Sequence, residues 1–152
     1  MNLNAEFLQH SATLAEQLRA SFDIDYNLDG IQTIENAINE DRPYYEQLDE
    51  KQRTNLAYKI GFFIGACMIK NYGGEWVEHE QGIGIKVNDY QAFPINKAFK
   101  FISEDGRFDS ISSFYEISGS LDAIMNKNSV TDSTEPNVVT PKRKAWWQFW
   151  KQ

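Results

Sequence analysis

Residues 60–69 constrain the fold most strongly, because ten consecutive positions carry no charged side chain. They belong to a helix predicted from about Tyr45 to Tyr72, whose inward positions are Leu48, Leu56, Ile60, Phe63, Ile64, Cys67 and Met68. From Ile60 onward this helix is apolar on nearly every side, which is typical of a central helix that other elements cover. The apolar segment has about half the length that a bilayer span needs, so we expect it in a protein core.

Two glycines, Gly61 and Gly65, lie four positions apart and therefore share one face of this helix. Each lowers helix propensity by roughly 1 kcal/mol relative to alanine. That cost indicates that another backbone packs closely against the glycine face. A membrane dimer groove is the alternative interpretation of such a pair, which the short apolar segment disfavours. Gly73 and Gly74 are expected to end the helix in the left-handed conformation.

Three short segments after these glycines predict a small antiparallel sheet. Residues 75–79 form the first candidate strand, and apolar residues alternate along the second at Ile83, Ile85 and Val87. Residues 80–82 supply the turn between them. Residues 90–93 add a short third strand.

Two helices are predicted before the central one. The first ends near Ala20, has an asparagine N-cap at position 2 or 4, and carries an apolar stripe. The stripe comprises Leu3, Phe7, Leu14 and Leu18, and Leu8 and Ala15 widen it. Residues 22–26 alternate apolar and acidic side chains, as a short strand or an extended segment would. Asn27 or Asp29 then caps the second helix, whose apolar stripe comprises Ile31, Ile34 and Ile38.

Two further helices are predicted after the sheet. Pro94 suits the first position of a helix that carries Ile95, Ala98, Phe99 and Ile102. Asp109 or Ser110 caps the last helix, whose apolar residues are Ile111, Phe114, Tyr115, Leu121 and Ile124 or Met125. The expected fold class is therefore α+β, with a central glycine-bearing helix and surrounding helices packed on a small antiparallel β-sheet.

The charged residues divide the chain into two parts. Residues 1–141 contain 22 acidic and 11 basic residues, a formal charge of −11, whereas residues 142–152 carry +4. The negative part would repel a phosphate backbone, so we expect no nucleic-acid partner. We predict an acidic α+β domain over residues 1–126, a polar linker over residues 127–141 and a flexible basic aromatic tail over residues 142–152.

The tail combines bases with large aromatic rings, at Lys142, Arg143, Lys144, Trp146, Trp147, Phe149 and Trp150. Tryptophan favours the membrane–water interface and bases favour anionic lipid, so peripheral contact with the inner membrane face is one interpretation. Docking of the aromatic rings on a protein partner is a second. Folding back onto an acidic groove of its own domain is a third, and a terminus without a role is the fourth.

Two local patterns resemble reactive or metal-binding motifs but have plainer interpretations. Cys67 is the single cysteine, which excludes an intramolecular disulfide, and its apolar surroundings indicate a buried hydrophobe rather than a nucleophile. Residues 25–30 match the opening of a calcium loop, but the expected twelfth-position carboxylate falls one place early, at Glu35. We therefore expect a turn and a helix cap here. No cofactor or metal is expected.

Three stretches resemble a family of small bacterial proteins of unknown function. Residues 22–31 are similar to its strand-to-helix segment, residues 60–65 with 72–77 to its glycine-bearing helix and Gly-Gly-x-Trp turn, and residues 93–99 with 110–115 to its closing helices. The resemblance covers about residues 14–125 and implies a fold, with no characterised activity. The chain departs from the family at Asn27, where serine is usual, and around Cys67, where relatives more often place a glutamate.

The sequence favours a bacterial, non-enzymatic accessory module, of immunity or regulatory type, that binds a protein partner. Its binding surface would comprise Glu75, Trp76, Glu78 and Glu80, with the tail as a second contact. The alternative is a small hydrolase or metal-dependent enzyme that uses His79 with Glu75 or Glu78. Neighbouring strand residues point to opposite faces, however, so a charged, solvated hairpin edge is the plainer interpretation. We expect a cytoplasmic protein, because residues 1–6 lack the basic start and apolar stretch of a signal peptide.

Overall fold

The computed structural model describes residues 4–103 and 109–130. Along the chain the elements are α1 (Ala5–Phe22), α2 (Leu28–Glu40), α3 (Arg42–Glu46), α4 (Glu50–Tyr72), β1 (Glu75–His79), β2 (Gly82–Val87), β3 (Tyr90–Ala92), α5 (Pro94–Phe101) and α6 (Ile111–Val130). These helices pack around one three-stranded sheet, which confirms the predicted α+β class.

The central helix α4 begins later than the sequence pattern predicts. Asp49 accepts a hydrogen bond from the Gln52 backbone N–H (2.8 Å), and the Gln52 side chain accepts one from the Asp49 N–H (3.1 Å). This capping box fixes the first turn of α4 and leaves α3 as a separate short helix. The single helix predicted from about Tyr45 is therefore wrong at its start. Its predicted end is confirmed, since Gly73 follows Tyr72 at φ 76°.

The glycine face of α4 receives two different neighbours. A Cβ atom at Gly61 would lie 2.6 Å from the Cα atom of Ile95, so the backbone of α5 packs directly on this position. A Cβ atom at Gly65 would overlap the indole of Trp76. The predicted close approach of a second backbone is thus confirmed at Gly61, whereas at Gly65 an aromatic ring occupies the space.

The sheet is antiparallel in the order β1-β2-β3. Trp76 lies opposite Ile85, and Ile85 lies opposite Ala92, so these three residues share one face. That face is buried, and both α4 and α5 contact β2. The three predicted strands are confirmed, except that the third ends at Ala92 and Phe93 precedes α5.

The segment between α1 and α2 begins with a turn and ends in a bend, and it is not a strand. Asp23 ends α1 in the left-handed conformation (φ 54°), and the Asn27 side chain accepts the Gly30 N–H at 2.9 Å as the N-cap of α2. The predicted helix cap is therefore confirmed. A Cβ atom at Gly30 would overlap the carbonyl oxygen of Asp25. The backbone of Asp25 therefore packs directly on Gly30 and leaves no space for a side chain there.

Glu35 binds the N-terminus of α6. Its carboxylate accepts hydrogen bonds from the Ser110 hydroxyl and the Ser112 backbone N–H, both at 2.9 Å. The Ser110 hydroxyl in turn accepts the Ser113 N–H at 3.0 Å and caps this helix. A carboxylate at a helix N-terminus also interacts favourably with the helix dipole. Glu35, which lies one position before the carboxylate that a calcium loop requires, thus joins α2 to α6.

A hydrogen-bonded group joins the end of α1 to residues 23–27, which precede α2. The Glu16 carboxylate accepts two bonds from Arg19 (2.8 and 2.6 Å) and one from the Tyr26 hydroxyl (2.9 Å). The Tyr26 ring stacks on Phe63 of α4 at 5.1 Å. The group therefore holds the segment before α2 against the central helix.

We expect Gly61→Ala to lower the free energy of unfolding by about 1–2 kcal/mol. The new methyl group meets backbone that cannot rotate away, which places the cost in the upper part of the usual range, at about 2–3 kcal/mol, while alanine regains roughly 1 kcal/mol of helix propensity. Urea unfolding followed by circular dichroism measures the change. Asn55→Ala, at an exposed position of the same helix, is the matched control and should not lower stability. Equal or greater stability of Gly61→Ala would contradict the packing.

The contribution of Glu16 to stability should disappear in acid. Hydrogen bonds from Arg19, and then from Tyr26, lower the pKa of this carboxyl from its usual 4.5 to about 2. A pKa that is lower in the folded state gives stability that is present above pH 4.5 and is lost as pH falls towards 2. Glu16→Gln should therefore have a lower Tm than the parent at pH 6, and the gap should close by pH 2. A gap that does not change with pH would contradict this assignment.

Candidate interaction surface

The β1–β2 hairpin presents carboxylates at one edge of the sheet. Within the part of the chain that the structure describes, β1 pairs with β2 alone, so its other side is an edge. Glu75 and Glu78 on β1 and Glu80 in the turn are all exposed. Charged side chains on an edge strand discourage pairing between identical molecules. The three predicted carboxylates are thus all exposed around this edge, with Glu75 and Glu78 on opposite faces of β1, and together we call them the hairpin surface.

Trp76 does not share this exposure. The side chain is 7% exposed, and its ring contacts Phe7 and Phe62 edge-to-face at 5.9 and 5.7 Å. The absence of a side chain at Gly65 provides the space for the indole. Trp76 therefore belongs to the core, where it fixes β1 against α4, and it offers little area to a partner.

His79 and the neighbouring carboxylates do not converge. The His79 Nδ1 accepts the Gln81 backbone N–H at 3.2 Å, and its ring lies edge-on to Phe93 at 5.9 Å. Glu78 lies on the opposite face of β1, and Glu75, four residues away, is separated from His79 by about 13 Å along the strand. The arrangement that the alternative enzyme requires is not formed by these three residues.

The described ranges contain no candidate metal site. Among residues 4–103 and 109–130, no three His, Cys, Asp or Glu side chains are grouped so as to hold a metal ion. The acid-rich turn before α2 is instead occupied by the helix cap of Asn27.

A shallow groove lies beside β1, between α1 and α4. Its volume is about 290 Å³, and its walls comprise Leu8, Ser11, Ala12, Phe62, Ala66, Ile69, Lys70 and Trp76. Leu8 and Ile69 are 44% and 37% exposed, which is high for large apolar side chains. We call this feature the α1–α4 groove. Sequence reasoning missed it, because periodicity assigned Leu8 to a buried stripe and Ile69 to an apolar run.

The predicted tail, residues 142–152, lies outside the described residues, as do residues 131–141 of the predicted linker. Its contact with a partner or an anionic membrane therefore stays a prediction. None of the helices in the described part of the chain combines the length and hydropathy needed to cross a bilayer.

No protein-family model matches this chain, and no curated protein or solved structure matches it either. The resemblance to a small bacterial family therefore stays a prediction. The candidate surface rests on the geometry of the chain alone.

Cys67 should not react with thiol reagents in the folded protein. The side chain is fully buried in α4, and this burial raises the pKa of the thiol to about 12. Because the thiolate is the reactive form, Ellman's reagent at pH 8 should label almost no native protein and should label one thiol per chain in 6 M guanidinium. Stoichiometric labelling of native protein would contradict the packing and would reopen a nucleophilic role.

Proposed function

We propose that this protein is a non-enzymatic interaction module whose hairpin surface binds a basic segment of a protein partner. The supporting observation is the position of β1 at an edge of the sheet. Trp76 is held in the core while Glu75 and Glu78 stay exposed on a sheet edge, with Glu80 following in the turn. A charged surface on a strand that is fixed from beneath needs little reorganisation to bind.

The edge position suggests how a partner would bind. An edge strand has backbone N–H and C=O groups that can pair with an added strand. Carboxylates on β1 favour a strand that carries lysine or arginine and disfavour a second copy of the hairpin. The partner chemistry that we infer is therefore a basic, extended segment, and the tail is proposed as a second contact.

The enzyme alternative gains no support from the geometry. It depended on His79 acting together with Glu75 or Glu78, and β1 separates these side chains by face or by distance. General acid–base catalysis needs its groups within hydrogen-bond reach of a common reacting atom.

The test is charge reversal at the hairpin. A tagged Glu75→Lys/Glu78→Lys/Glu80→Lys variant should lose at least about tenfold of any partner that the parent captures from its host, since like charges then face each other. Cross-linking followed by quantitative mass spectrometry identifies the partner and the contact residues.

The matched control reverses three exposed carboxylates elsewhere, at Glu40, Glu46 and Glu116. It changes net charge by the same amount and should retain the partner. Both variants should keep the parent Tm within a few degrees. Failure of the parent to capture any stable partner, or equal loss in both variants, would contradict the hairpin surface as the binding site.

A further inference from the structure

We propose that the tail, residues 142–152, docks in the α1–α4 groove of its own chain. The inference goes beyond the proposed function, because it concerns an intramolecular contact and requires no partner. It depends on the shape, the charge and the position of the groove.

The groove is small and mostly apolar, which suits an aromatic side chain. Its volume is about 290 Å³. Phe62 and Trp76 line it but are almost wholly buried, whereas Leu8 and Ile69 remain partly exposed. A tryptophan placed there would cover these apolar side chains, since each aromatic residue buries about 150–250 Å². The tail has four large aromatic residues within positions 146–150.

Charge favours the tail, rather than a second molecule of this protein, as the occupant of the α1–α4 groove. The one charged residue in the lining of the groove is Lys70. On β1, Glu78 lies two residues from Trp76 on the same face, and Glu75 and Glu80 lie close to it along the chain. The aromatic residues of the tail are flanked by bases on both sides, at 142–144 and at 151. Residues 1–141 carry −11, so a second acidic body approaching this surface would be repelled.

The route of α6 brings the tail within reach. Gly119 of α6 packs against the hydroxyl of Tyr72, the last residue of α4, and Ile69 in the groove lies one turn before it. From Gly119, α6 continues for about 16 Å to Val130. The 15 residues from 131 to 145 can span up to about 50 Å. A connection of this length keeps the effective concentration of the tail near the millimolar range, so weak contacts suffice.

Docking in this groove would place the bases of the tail beside the hairpin surface. A basic partner segment and the tail would then compete for Glu75, Glu78 and Glu80. The tail would thereby limit binding of the hairpin surface to partners that displace it, and the displaced tail would then be free to serve as the second contact with that partner.

The experiment uses the full chain with a nitroxide spin label at the tail. Gln152→Cys introduces the labelling site, and buried Cys67 stays unlabelled. Paramagnetic broadening of amide NMR signals then reports which residues lie close to the tail. We expect Leu8, Ala12 and Ile69 to lose most of their intensity, and the exposed positions Gln32 and Thr33 of α2 to keep theirs.

Ala12→Arg fills the groove and adds a positive charge, whereas Ala20→Arg makes the same change at an exposed position of α1 outside it. Broadening at the groove should disappear in Ala12→Arg and persist in Ala20→Arg and on dilution. Three results would overturn the proposal: no broadening at the groove, broadening unchanged by Ala12→Arg, or broadening that vanishes on dilution, which would assign the tail to another copy. Because partner capture is not measured, a negative result leaves the hairpin proposal intact.

Discussion

The close contact between the glycine face of α4 and its two neighbours is the constraint on which the rest of the structure depends. At Gly61 the backbone of α5 lies against the helix, and at Gly65 the indole of Trp76 takes the place of a side chain. Both residues lower helix propensity, so α4 alone is less stable than a helix with alanine at these two positions. In return, β1 is fixed by an aromatic residue that is almost wholly buried. The exposed edge of the hairpin therefore projects from a rigid support.

A second set of contacts joins α6 to the same helix. Tyr72 stacks on Tyr115 at 4.8 Å and donates a hydrogen bond to the Tyr115 carbonyl oxygen at 2.9 Å. Asn71 donates to the Tyr115 hydroxyl at 2.8 Å, and Tyr90 of β3 donates to the carbonyl of Ser118. Buried hydroxyl groups are expected to have such partners, and here they fix the register of α6. Together with Glu35 at its N-terminus, they direct the chain past the C-terminal end of α4.

Much of the fold follows from local pattern. Apolar spacing and turn residues predict the helices, the three strands and the caps at Asn27 and Ser110 because these depend on near neighbours. The missed features depend on longer contacts or on a competing cap. Asp49 and Gln52 form a capping box that outweighs the apolar spacing through Leu48. Glu35 has a role visible only once α6 lies beside α2.

The candidate surface was predicted only in part, because some of its features depend on contacts between residues distant in sequence. Alternation along β1 places Glu75 and Glu78 on opposite faces, but both are exposed because β1 is an edge strand. The exposure of Trp76 could not be judged from the strand alone, since it is set by Gly65, eleven positions earlier. The α1–α4 groove likewise forms only where two helices distant in sequence meet.

Two basic residues of the acidic domain are buried, which bears on both proposed contacts. Arg42 is 6% exposed, donates a hydrogen bond to the Phe101 carbonyl oxygen at 2.6 Å and lies over the Phe101 ring. Its guanidinium group is thus held within the fold. Lys97 is also buried and pairs with Asp109 at 3.1 Å, which removes one charge of each sign from the surface. The carboxylates of the hairpin, by contrast, are exposed and give that edge of the sheet a negative field. A basic segment, from a partner or from the chain itself, is the occupant that such a field favours.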